Sequence, residues 1–236
     1  MKHVIALILG VAAGAAAAIA FLYHNPFTSH AGLSPLLVSD RPQLVLNYSA
    51  IGADSILYTN DGESIVQPHP EKVLQLWEPP IRLTETMVTM LRDGRDTPAG
   101  IGIKFSSRSE RTRILNGEVL VDSAWYVYLP QRGSLLIAQH ENHWNYLREV
   151  VARAHLSSGD NWKGSWHGRI TNGPGALGTA HVYGGSGTYR DLELEAIETL
   201  SAQAYSTVLG PVALDGQLTI ELPATTDESA TAANSN

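Results

Sequence analysis

The chain contains no cysteine, which excludes disulfides, thiolate metal sites and a cysteine nucleophile in whatever compartment it occupies. Its folded part must be held by packing and hydrogen bonds alone. Basic residues are scarce as well: 16 Lys plus Arg stand against 23 Asp plus Glu, and the one close cluster is Arg108, Arg111 and Arg113. No basic stripe able to neutralise a phosphate backbone is present, so nucleic acid is not an expected partner. Neither a Gly-x-Ser-x-Gly elbow nor a phosphate loop occurs, which leaves acyl transfer and nucleotide hydrolysis without support. What the chain does have is 44% hydrophobic and 17% charged residues, enough apolar material for a core and too little charge for a disordered chain.

From Val4 to Tyr23 there is no charge at all. Twenty or so such residues, at about 1.5 Å each, reach across a hydrocarbon core of about 30 Å. Lys2 precedes the run and no Lys or Arg follows until Arg41, so the positive-inside rule predicts a cytoplasmic start and an exported body. The expectation is a single-pass inner-membrane protein with its C-terminal domain in the periplasm. Cleavage is the alternative, since Ala18-Ile19-Ala20 has the small-x-small form of a signal-peptide site and would release a secreted domain. The apolar run continues through Phe21, Leu22 and Tyr23, where a cleaved signal turns polar, and this favours the anchor. The organisation read from composition is an anchor over 1–24, a Pro-containing linker over 25–38, a β domain over 39–223 and a disordered polar tail over 224–236.

Within the body the period-two signal recurs. Val212, Leu214, Leu218, Ile220 and Leu222 take one parity, with Asp215, Gln217, Thr219 and Glu221 on the other. Val119, Val121, Trp125, Val127 and Leu129 alternate likewise, and Pro130-Gln131-Arg132-Gly133 turns the chain into a second run from Ser134 to Gln139. Further strands are expected over 43–49, 54–59, 101–106, 165–171, 179–183 and 190–205. Residues 143–155 carry Trp144, Leu147, Val151 and Ala154 at helical spacing, whereas Thr84 to Arg92 fits a helix or a strand. The fold class expected is mainly β: an antiparallel, calycin-like β-barrel with one inserted helix, preceded by an N-terminal transmembrane helix.

Gly173-Pro174-Gly175-Ala176-Leu177-Gly178 matches the dinucleotide pattern G-x-G-x-x-G. The next segment alternates as a strand and opens no helix to receive a pyrophosphate, so no cofactor is expected. A strand Gly168-Arg169-Ile170-Thr171, a turn Gly184-Gly185-Ser186-Gly187-Thr188-Tyr189, and a last strand containing Gly216-Gln217-Leu218-Thr219-Ile220 together resemble the C-terminal half of allene oxide cyclase-like and dirigent-like barrels. The resemblance covers Trp166 to Leu222. It implies an eight-stranded antiparallel barrel with a ligand cavity, in a superfamily of cyclases, stereochemical guides and binders, and it carries over no catalytic residue.

His140-Glu141-Asn142-His143 is one residue short of H-E-x-x-H, and spacing identifies no third ligand, so no metal is expected. Glu198 shares the parity of Leu194, Ala196 and Leu200, which would point it inward as a candidate general acid or base; a bulge near Ile197 would return it to solvent. Trp166, His167, Arg169, His181, Tyr183, Tyr126 and Tyr128 lie on alternating strands and could line a ligand site. The function expected is binding of an apolar small molecule or lipid by a membrane-anchored envelope domain. The alternatives are an isomerase, cyclase or hydratase acting by acid–base catalysis in the barrel cavity, and a non-catalytic component that assembles with other envelope proteins through a sheet face or the 143–155 helix.

Overall fold

The computed structural model describes residues 2–24, 40–51, 84–157, 159 and 161–223; the expected linker, the strand over 54–59 and the tail lie outside them. Helix α1 (Lys2–His24) follows from an apolar run rich in alanine, leucine and isoleucine, in which Gly10 and Gly14 are tolerated once burial in an apolar phase is available. Its Lys2–Phe21 span is long and apolar enough to cross a membrane, and none of it is buried against the rest of the chain. A signal anchor and a signal sequence both have this form.

Among the described residues, nine antiparallel strands make one sheet: β1 (Gln43–Ser49), β2 (Thr84–Arg92), β3 (Pro98–Arg108), β4 (Leu120–Leu129), β5 (Gly133–Asn142), β6 (Asn161–Arg169), β7 (Ala180–Gly187), β8 (Glu193–Ser206) and β9 (Gly210–Glu221). The segment left open between helix and strand is therefore a strand, and its pairing with β3 from Thr84↔Ser107 to Arg92↔Pro98 supplies the reason. Threonine and valine fit a pleated, half-buried surface better than a helix once a partner edge is available.

Neighbour follows neighbour in the order β8-β7-β5-β4-β3-β2-β1-β9, and β9 returns to β8, so the sheet closes on itself in a ring-like way. Strand β8 makes the closure. It pairs with β7 through Glu193 to Ala196, with β6 from Thr199 onward, and with β9 along its other edge. After β7 departs from β5 at Ala138, residues 170–173 take over that edge, with His140 N–H donating to Gly173 C=O and Asn172 N–H to His140 C=O. Closure of this kind leaves few unpaired backbone groups to attract another chain.

Side chains of one parity fill the ring. Leu46, Leu91, Trp125, Val127, Leu135, Ile137, Val182, Leu218 and Ile220 form its main core. A second core sits where helix α2 (residues 144–156) packs on β6, β8 and β9, through Tyr146, Val150, Trp166, Ile170, Leu200 and Leu214. Helical spacing alone selects Leu147 and Val151 for burial, yet these are half-buried while Tyr146 and Val150 face the core. The middle of α2, Leu147–Val151, is wound as a π-helix, and that wider winding rotates the apolar face. A similar correction applies to Val212, which is exposed: register shifts between Ala202 and Tyr205 on β8 displace the start of β9 from simple alternation.

Candidate functional site

Glu198 points into the ring and is fully buried. No register shift interrupts β8 between Ala196 and Ala202, so the parity read from its neighbours holds at this residue. Four donors converge on its carboxylate from four other strands. Oε1 accepts the Tyr48 hydroxyl and the Lys104 ammonium at 2.8 Å; Oε2 accepts the Trp125 indole N–H at 3.0 Å and the Gln139 amide. These fill the roughly four acceptor positions of a carboxylate, leaving none directed at a ligand.

The cluster continues past Lys104. Its Nζ also lies 2.7 Å from Glu141, whose Oε1 accepts the Ser123 hydroxyl and the Gln139 amide, and whose Oε2 meets His143 Nε2 at 2.7 Å. Burial on its own would raise the Glu141 carboxyl, but the Lys104 charge, followed by His143, overrides it and holds the group far below the usual carboxylate range. Burial would likewise lower Lys104, and the paired charges of Glu141 and Glu198 instead keep it protonated above its ordinary value. Burial, and then the neighbouring Glu198 charge, push the Tyr48 phenol well up. Trp125 packs edge-on against Tyr48 at 4.8 Å between ring centroids, and Lys104 sits 5.4 Å over the Trp125 ring.

Among the described residues, grooves open on the outside of the sheet, and two of them bear on the site residues. The larger, about 570 Å³, lies where β1 and β2 separate, the two being paired at Asn47↔Arg92 alone among the described residues. It is polar, with Asn47, Gln217 and Thr199 on adjacent strands and His167 bonded to Ser201 at 2.8 Å. The smaller, about 360 Å³, lies on the outward face of β3, β4 and β5 between Phe105, Ala124, Ala138 and Pro174.

That outward face is ordered in rows. Strand register aligns Ile101, Tyr128 and Ser134; then Ile103, Tyr126, Leu136 and Tyr183; then Phe105, Ala124, Ala138 and His181; and finally Ser107, Asp122 and His140. Phe105, Tyr126, Tyr128, Leu136 and Tyr183 are each 42–46% exposed, so the first three rows together make one contiguous, largely apolar surface. The two alanines, flanked by larger side chains, form the floor of the 360 Å³ groove. At its polar end Asp122 Oδ1 lies 2.6 Å from His140 Nδ1 and 2.9 Å from Arg111 Nη2. Arg111 Nη2 also approaches the imidazole, at 3.1 Å from Nδ1 and 3.4 Å from Nε2. Slight burial would raise the Asp122 carboxyl, but hydrogen bonds from Ser109, His140 and Arg111 outweigh it and hold the group below its usual range.

Of the residues singled out from sequence, Tyr126, Tyr128, His181 and Tyr183 thus share one face, separate from Glu198. His167 lines the larger groove, whereas Trp166 is buried beneath α2 and donates its indole N–H to Glu149 at 3.1 Å. Arg169 is half-buried, and its Nε and Nη1 have no hydrogen-bond partner. Spacing marked Glu141 only within the His140-Glu141-Asn142-His143 motif, where it bonds His143 and Lys104; it did not mark Tyr48, Lys104 or Gln139, nor the pairing of Asp122 with His140. The last had a readable signal: counting seven residues back on each side of the hairpin pair Leu129↔Gly133 brings Asp122 opposite His140.

No family model and no curated protein matches the chain. Among solved structures it is similar to the Diels Alderase AbmU from Streptomyces koyangensis, at 12% identity and a TM-score of 0.35, over 80% of this chain and 73% of that one. A nonspecific heme-binding cyclase that catalyses a 4 + 2 cycloaddition in neoabyssomicin biosynthesis is similar at 12% identity and a TM-score of 0.35, over 81% of this chain and 72% of the other. These likenesses are distant and assign neither activity nor ligand here.

Proposed function

We propose that this chain is a membrane-tethered envelope protein whose barrel-like domain, held in the periplasm by α1, binds an apolar small molecule or lipid on the outward face of β3, β4, β5 and β7. The observation that carries this reading is the contiguous apolar surface of Phe105, Tyr126, Tyr128, Leu136 and Tyr183 beside an alanine-floored groove. The ring interior is a poorer candidate, since packed core side chains fill it and the donors around Glu198 are already satisfied. A tethered domain also meets membrane-derived apolar molecules at high local concentration.

Photolabelling of the full chain in lipid nanodiscs with a diazirine-bearing palmitate tests the assignment. Adducts are expected on peptides of β4, β5 and β7, and Leu136→Glu should remove them. Adducts confined to α1, or labelling of the sheet that ignores Leu136→Glu, would overturn it.

A further inference from the structure

We propose that Arg111, Asp122 and His140 form an acid–base site at the polar end of this apolar face, moving a proton within an apolar unsaturated ketone. The proposal rests on the ligand-binding reading and adds a substrate class and a reaction to it.

Three features support it together. A carboxylate can only accept, so with the His140 proton on Nδ1 toward Asp122 Oδ1 at 2.6 Å, Nε2 is the accepting nitrogen; Arg111 Nη2 lies 3.4 Å from it and turns to the substrate oxygen when Nε2 acts as base. The pair borders a groove walled by Phe105, Ala124, Ala138 and Pro174, where an apolar ligand displaces water and strengthens the electrostatics of the site. Arg111, on an exposed turn beside Asp122 and within 3.4 Å of the imidazole, brings a permanent cation to the place where an oxyanion would develop. A bare surface ion pair would have the first feature without the second.

The reaction needs no cofactor. His140 Nε2 takes a proton from the carbon between the carbonyl and the double bond of a β,γ-unsaturated ketone. The electron pair of that C–H bond becomes a C=C bond as the carbonyl π pair moves to oxygen, and Arg111 holds the resulting enolate. The imidazolium then returns the proton to the γ carbon, the enolate collapses to the ketone, and the conjugated isomer leaves with the formula unchanged. Arg111 and His140 are catalytic residues in this scheme; Asp122 is a positioning residue.

The test uses the full chain in nanodiscs with two β,γ-unsaturated ketones, one carrying a long alkyl tail and one without. Ultraviolet absorbance follows the conjugated product, and NMR in D2O follows deuterium entering its γ carbon. His140→Gln should lower both signals at least about 100-fold, the lower end of general acid–base contributions, while photolabelling of β4 and β5 is retained. Asp122→Asn should lower kcat at an unchanged folded fraction, read from tryptophan fluorescence, and shift the pH profile of kcat, a shift that loss of folding would not produce. Equal rates for the native chain and His140→Gln would overturn the proposal. Labelling of the face without any exchange would overturn the chemistry and keep the binding reading. Exchange that does not distinguish the tailed from the tailless ketone, with no labelling of the face, would overturn the binding reading and keep the base.

Discussion

Lys104 holds its ammonium nitrogen 2.8 Å from Glu198, on a strand opposite in the ring and 94 residues away in sequence. The same nitrogen is 2.7 Å from Glu141, so one buried cation answers two buried carboxylates. Removing a carboxylate therefore leaves the cation with one partner, whereas removing the cation strips Glu198 of its cation and leaves Glu141 with His143 alone.

Lys104→Met should accordingly destabilise the domain by about 3–5 kcal/mol, the cost of stranding buried charge. Glu198→Gln, which keeps the shape and leaves the Lys104–Glu141 pair in place, should cost less. Urea denaturation followed by tryptophan fluorescence measures both, with Trp125 reporting from the centre of the cluster; an equal loss for the two would contradict the asymmetry.

The same cluster sets a pH window. Glu141 is depressed in the folded state, so its contribution is present above its ordinary value of 4.5 and is lost as pH falls below it. Lys104 and Tyr48 are raised, so their contributions are present below 10.5 and 10.0 and decline as pH climbs beyond those values. Thermal stability should fall on both sides of this window. Lys104→Met should flatten the acid limb, because it removes the main charge that depresses Glu141.

On the outward face the expectation reverses. Leu136 and Tyr183 are 45% exposed, so replacing both with serine should change stability by no more than about 0.5 kcal/mol each. Uptake of the palmitate probe should weaken at least about tenfold, or about 1.4 kcal/mol. A large stability loss with unchanged uptake would mean that the two side chains serve the fold.

The state of α1 is settled by intact mass on isolated membranes. An uncleaved anchor gives the full 236-residue chain in the membrane fraction, and cleavage after Ala20 gives a shorter, soluble product.

Much of the sheet was legible because alternation is local: β1 is read at its observed bounds, and the inward parity of Glu198 follows from Leu194, Ala196 and Leu200. What surrounds Glu198 was not legible, because which strands face one another across a closed sheet is set by topology. Lys104 illustrates this. Its inward neighbour on β3 is Gly102, whose missing side chain accommodates the Trp125 ring, so no apolar alternation marks the face that Lys104 shares. Val150 was missed for a different reason: the π winding of α2 is a response to packing, and helical spacing assumes a uniform turn.

The shared strand β8 also orders events in time. Strand β1 finds its long-lasting partner only in β9, with Gln43 set against Glu221 near the far end of the described chain. Until β9 emerges from synthesis, β1 and β8 each keep an open edge, and neighbouring nascent chains compete for it. Such distant pairing slows folding. A chain cut short before β9 would therefore lose the whole ring and not merely its last strand.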